Sequence, residues 1–170
     1  MLPANATKKT KRAIFTEAQE KRIIWRIMAK KTWIEKRDCN KSFKIKTIDK
    51  KFADIAEGSK MFIATPKIID DYVNHIPFGK STELGTMRND LAVEYQADKT
   101  CPVTTGIFLR IVSEASFEEL NAGKDIKEVT PFWRIVNPKS KLAEKLECGI
   151  DFIEKQRELE GIEQPIICSD

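Results

Sequence analysis

Histidine is almost missing from this chain: among 170 residues only His75 occurs. One imidazole cannot furnish the usual metal or triad sets, and no glycine-rich phosphate loop, His-Glu-x-x-His pair or Gly-x-Ser-x-Gly elbow accompanies it. His75 has no nucleophile or metal partner near it in sequence and reads as a helix-end or surface residue. Cysteine is sparse as well. Cys39, Cys101, Cys148 and Cys168 are far apart and never form Cys-x-x-Cys, which argues against both a zinc site and a disulfide framework and leaves reduced thiols as the expectation. Long apolar runs are lacking too. The stretch from Ile107 to Val112 is bounded and interrupted by polar and charged residues far short of the roughly 20 apolar residues of a membrane span. Met1 to Arg12 is polar and lysine-rich with no apolar core of a secretory signal, so the expected location is the cytoplasm, associated with the nucleoid, or the nucleus. No cofactor and no metal are expected.

What is present is one globular domain's worth of apolar residues, 41% of the chain, with 33% charged. The net charge of +4 conceals an asymmetry. Residues 1–51 carry 16 Lys/Arg against 5 Asp/Glu, a balance of +11, and residues 52–170 carry 14 against 21, a balance of −7. Such a basic third is either an arm that meets a polyanion, gaining affinity by counterion release, or a solvated tail.

Periodicity and punctuation divide the chain further. Thr16 and Gln19 form a capping box ahead of Ile23, Ile24, Ile27 and Met28, predicting a helix over 17–31. Trp33 to Lys46 reads as a connector, Lys50 to Ala56 as a short helix ended by Gly58, and Met61 to Ala64 as an extended piece. Thr65-Pro66 starts a helix with Ile68, Ile69, Tyr72, Val73 and Ile76 on its apolar face, and Pro77-Phe78-Gly79-Lys80 turns the chain. A helix from Glu83 to Val93, a polar break over Glu94 to Thr100, and a second helix opened by Cys101-Pro102 and running past Ser113 towards Leu120 spell a helix-turn-helix. Val103, Ile107, Phe108 and Ile111 are expected to face inward. Trp133 to Val136 and Lys141-Leu142, around Asn137-Pro138-Lys139-Ser140, predict a small hairpin or wing, and Ile150 to Glu160 a last helix.

The block from Ile76 to Gly161 resembles the C-terminal DNA-binding domain of the O6-alkylguanine-DNA alkyltransferases. Ile76-Pro77-Phe78-Gly79-Lys80 is similar to that family's Ile-Pro-x-Gly-x at the start of the helix-turn-helix. Thr105-Gly106-Ile107-Phe108-Leu109-Arg110 is similar to its recognition helix, Thr130-Pro131-Phe132-Trp133-Arg134-Ile135-Val136 to the active-site segment that carries Pro-Cys-His-Arg-Val, and Leu159-Glu160-Gly161 to its closing Glu-Gly. The acceptor cysteine is replaced by Phe132 and the activating histidine by Trp133. Neither ring supplies a nucleophile or a base, so the likeness is to the alkyltransferase-like proteins that bind alkylated guanine without removing it. Leu84 stands where the family has the tyrosine that presses on the phosphate backbone during base flipping.

The resemblance implies a mainly α fold with a small β wing, a winged helix-turn-helix over 61–165 preceded by a basic arm (1–15) and a helical extension (16–60). It implies DNA contacts from Lys80, Thr104, Thr105, Gly106 and Arg110, and a lesion pocket of Pro131, Phe132, Trp133, Arg134 and Gly149. The implied partners are double-stranded DNA, in particular alkylated DNA, and a repair protein, with the chain itself a monomer. Gly106 and Arg110 share a helix face, either for close approach and insertion into DNA or, on the structural side, for tight helix packing and an ion pair. Two other functions fit the residues: alkyl transfer to a displaced thiol, Cys148, and a winged-helix regulator reading undamaged sequence.

Overall fold

The computed structural model describes residues 31–162. The chain divides into two units at Lys31, and everything below belongs to the unit Thr32–Asp170. The arm and the helix expected over 17–31 lie outside the described residues, Lys31 excepted. Residues 32–60, expected to belong to an extension, fall in the same unit as the rest of the described chain.

The fold is mixed α/β, with five α-helices and one three-stranded sheet among the described residues. Helix α1 (Trp33–Arg37) lies where a connector was expected. Five residues are too few to hold a helix alone. Thr32 and Glu35 close a capping box at its start, Glu118 accepts from the Ile34 N–H (3.0 Å), and the Arg37 guanidinium meets both Glu119 carboxylate oxygens at 3.0 Å. Strand β1 (Lys44–Thr47) pairs antiparallel with β2 (Lys60–Ile63), Ile45 opposite Phe62, and β2 runs parallel to β3 (Lys99–Thr100). Between β1 and β2 the predicted helix over 50–56 is instead a tight turn, bridged at Phe52 and Ile55 with Ala53 at φ 52°. Tertiary contacts override its local helical pattern: Ile55 is fully buried and Arg88 holds the Asp54 carboxylate at 2.8 and 3.0 Å.

Helix α2 (Pro66–Asn74) begins as the sequence predicts, with the Thr65 hydroxyl accepting from the Ile68 N–H and proline in the first turn, where a missing N–H costs nothing. Helices α3 (Leu84–Glu94) and α4 (Pro102–Asn121) follow, and α5 (Gly149–Leu159) closes the chain. The hairpin expected over 133–142 is not formed. Phe132–Arg134 and Ala143–Lys145 are 3₁₀ turns. The run Val129 to Trp133 is buried at every residue, a demand that a strand with alternating faces does not meet. One core joins the sheet and the helices: Phe62, Ile69, Val73, Met87, Leu91, Leu109, Val112, Phe132, Trp133 and Ile153 all belong to it. No described helix is long and apolar enough to cross a membrane.

Candidate nucleic-acid interface

The turn between α3 and α4 is fixed by reciprocal bonds. Arg88 Nε and Nη2 donate to the Thr100 carbonyl (3.1 and 2.9 Å), and Thr100 Oγ1 donates back to the Arg88 carbonyl (2.8 Å). The Cys101 N–H then donates to the Phe62 carbonyl, and Pro102 opens α4 from a position set by the sheet.

Helix α4 departs from the usual sorting of side chains at Val103, Thr105, Ile107 and Ser113, while Phe108, expected inside, packs against the core. Thr105, Leu109, Val112 and Ser113 are buried, whereas Val103 and Ile107, expected inside, are each 53% exposed. The hydroxyls make this inexpensive. Thr105 Oγ1 donates to the Cys101 carbonyl (2.6 Å) and Ser113 Oγ to the Leu109 carbonyl (2.8 Å), so each enters the core already paired with its own helix. Thr105 is thus no surface contact, and its place in the expected DNA-binding set is corrected. Thr104 is half-buried with its hydroxyl on the Cys101 carbonyl (3.5 Å), and Lys80 is exposed.

Val103, Gly106, Ile107 and Arg110 form one stripe at i, i+3, i+4 and i+7. No acidic residue occurs in α4 before Glu114. A Cβ built at Gly106 meets nothing within 4 Å, so packing of another helix does not require this glycine. Gly85 in α3 is equally open. A glycine inside a helix costs about 0.5–1 kcal/mol relative to alanine. Nothing within the described residues offsets that cost at Gly106. At the end of the stripe, Arg110 is tethered loosely: Nε lies 3.5 Å from Glu114, Nη2 donates to the Lys145 carbonyl at 3.2 Å, and the guanidinium sits 5.7 Å from the centre of the Trp33 ring. Its side chain stays 41% exposed.

On the Phe108 flank of α4 lies a lysine ridge that sequence reasoning missed. A cavity of about 260 Å³ is lined by Lys41, Lys44 and Lys46 together with Phe108 of α4. The register explains the arrangement. Exposed Ile45 pairs with buried Phe62 and shares its face, which puts Lys44 and Lys46, opposite Ile63 and Met61, on the other face of the sheet.

Of the residues expected to wall a lesion pocket, three are buried in the described part of the fold. Phe132 is fully buried, Trp133 and Pro131 are buried, and the two aromatic rings meet edge to face at 5.5 Å within the core. Gly149 instead starts α5 at φ 75°. Neither the 260 Å³ cavity nor a larger groove of about 820 Å³ between Phe43, Tyr72 and Tyr95 is lined by any of them. His75 caps α2 at the rim of that larger groove.

A buried carboxylate, Glu160, gathers three of the four segments that carry the family resemblance. It accepts from Trp133 Nε1 (2.7 Å), from Arg134 Nε and Nη2 (2.7 and 3.0 Å) and from the Gly79 N–H (3.2 Å), while Arg134 Nη1 donates to the Ile76 carbonyl (2.6 Å). Burial opposes ionisation of Glu160, yet the bonds from Arg134, Trp133 and Gly79 outweigh it and hold the carboxyl below the ordinary glutamate range. Gly79 has no freedom to change: its φ is 73°, and an added Cβ would stand 3.1 Å from the Glu160 carbonyl oxygen. Arg134 is therefore a structural anchor. Nearby, Arg157 donates to the Trp133 carbonyl (2.8 Å) and its Nε is buried without a partner among the described residues.

Cys148 is half-buried at the start of α5, and burial together with the Glu114 carboxylate pushes its thiol up to about 11. In comparisons with known proteins, no family model, no curated protein and no solved structure matches the chain significantly.

Proposed function

We propose that the chain is a non-catalytic binder of double-stranded DNA, held through α3 and α4, that favours alkylated or otherwise damaged duplex and marks it for a repair partner. The observation that carries this reading is Gly106, a helical glycine with open space where its side chain would be, set between exposed Val103 and Ile107 and followed by Arg110. A smooth, apolar, acid-free helix face suits close approach to the minor groove, where apolar wedges part base steps and arginine reads groove width. A major-groove regulator needs polar side chains aimed at base edges, and this stripe has few.

Burial of Phe132 and Trp133 narrows the mechanism. A flipped base does not enter space already filled by two core rings, so preference for damage comes from deformability: unstacking costs least at a damaged or mismatched step, and a helix that wedges the groove is favoured there. A thiol near pKa 11 at Cys148 is almost wholly protonated at neutral pH and is a poor alkyl acceptor.

The test compares binding of one fluorescent duplex with and without a single O6-methylguanine, with intact-mass measurement of the protein afterwards. Tighter binding to the damaged duplex with unchanged protein mass is expected. Equal binding would remove the damage preference. A stoichiometric mass gain on any cysteine would replace the reading by alkyl transfer.

A further inference from the structure

We infer that Lys41, Lys44 and Lys46 form a second contact with the same nucleic acid, a phosphate-binding ridge that clasps the duplex backbone beside the groove occupied by α4. The inference rests on the proposed DNA reading and adds a surface to it. The sequence singles out the basic first third without assigning it a place, and the fold sets these three of its lysines along one flank of α4.

Three observations carry the assignment. First, the ridge and the helix share a wall: the three lysines line one cavity with Phe108, Pro66 and Ile63, and Phe108 stands about 100° round α4 from Ile107 of the exposed stripe. Second, no acidic side chain lines that cavity, and none of the three lysines forms an ion pair with a carboxylate among the described residues. The carboxylates of Asp71 and Glu94 belong to the adjoining groove, which Lys41 and Lys67 also reach, and so bound the positive ridge on that side. Third, β1 is an edge strand exposed along its whole length, an arrangement that charged side chains protect from pairing with other strands. Lys44 and Lys46 are two residues apart on one face, about 6.7 Å along the strand. Flexible ammonium groups in such a row meet phosphates as point charges without reading sequence.

The experiment measures affinity of the full chain for an undamaged fluorescent duplex across salt, for the parent and for K41Q/K44Q/K46Q. A K124Q/K127Q variant, altered beyond the far end of α4, serves as the control for loss of net charge. If each lysine meets one phosphate, the triple variant's log-log salt slope falls by about 2.7, so that between about 50 and about 200 mM salt the parent loses about forty-fold more affinity than the variant. The control should change the slope by less than about one. Because all three lysines are exposed, the variant keeps its fold, checked by circular dichroism, and K41R/K44R/K46R should restore the parent slope. A triple variant that binds DNA with the parent's slope overturns the ridge and leaves the α4 reading standing. Polyglutamate that binds the parent but not the triple variant, while duplex binds both with the same salt slope, would assign the ridge to an acidic protein partner and overturn it as well. If the parent binds no duplex, both readings fall.

Discussion

The Glu160 cluster and the outer face of α4 lie on one unit and obey opposite logic. Around Glu160 every residue type has an internal reason: the carboxylate answers Arg134, Trp133 and Gly79, and Gly79 is glycine because of its backbone angle and its neighbour. Along Val103, Gly106 and Ile107 no such reason lies among the described residues. Apolar side chains face water while hydroxyls are buried, and a glycine occupies a helix where alanine would fit. A residue that its own fold does not explain points outward, to what the fold meets. The comparison also reassigns Phe132, Trp133 and Arg134 from recognition to architecture.

The largest expected effect tests that reassignment. Phe132→Ala, at a fully buried ring, should lower stability by about 3–5 kcal/mol, read as the urea unfolding midpoint. A small stability change with a large loss of DNA affinity would return Phe132 to a ligand pocket. Next, Glu160→Ala strands Arg134 and the Trp133 N–H in a buried site and should cost about 3 kcal/mol. The same carboxylate sets an acid limb. Because its folded-state pKa is lowered, its contribution is complete above the ordinary glutamate value of about 4.3 and is lost as pH falls through the lowered one. The parent should therefore lose stability more steeply than Glu160→Gln as pH drops below that value. A parallel pH profile for the two would show that Glu160 is not ionised in the folded protein.

Arg110→Ala should weaken duplex binding about tenfold, about 1.4 kcal/mol, with the larger loss on the damaged duplex. Its internal contacts are at the long end of hydrogen bonding, so the unfolding midpoint should shift little. Unchanged affinity for both duplexes would make Arg110 a structural residue like Arg134. The smallest effect separates the two regions most cleanly. Gly106→Ala should raise stability by about 0.5–1 kcal/mol and lower DNA affinity, effects of opposite sign from one methyl group. A gain in both would mean that nothing approaches this face closely.

Much of the helical framework was legible because its signals are local. Thr65-Pro66 and Cys101-Pro102 mark helix starts that the structure reproduces, and the span ending before Gly123 is a single 20-residue helix. Strand β1 carried a signal in the alternation Phe43-Lys44-Ile45-Lys46, masked by the charges that an edge strand tolerates. The turn at 52–55 was not legible, since Arg88, 34 residues on, pins it. The inward assignment of Val103 and Ile107 failed for a different reason. Apolar-inside is a rule about unpaired polar groups, and Thr105 and Ser113 satisfy themselves on their own helix. Glu160 gave only a faint hint through the final Glu-Gly, because its three partners come from segments that meet only in the folded chain.

The span of those partners bears on how the protein is made. The bonds that set up α4 close over four residues, from Thr105 to Cys101 and from Ser113 to Leu109, whereas Glu160 reaches back 81 residues to Gly79. Closing a long loop costs more chain entropy than closing a short one, and contacts of large sequence separation slow folding. During synthesis the helix bearing the exposed stripe can therefore take shape while Arg134 and Trp133 still lack their carboxylate. The α4 helix can exist before the scaffold beneath it is locked, and during that interval Leu109 and Val112, buried in the finished fold, stand open to other nascent chains, a point at which chaperone protection would matter most.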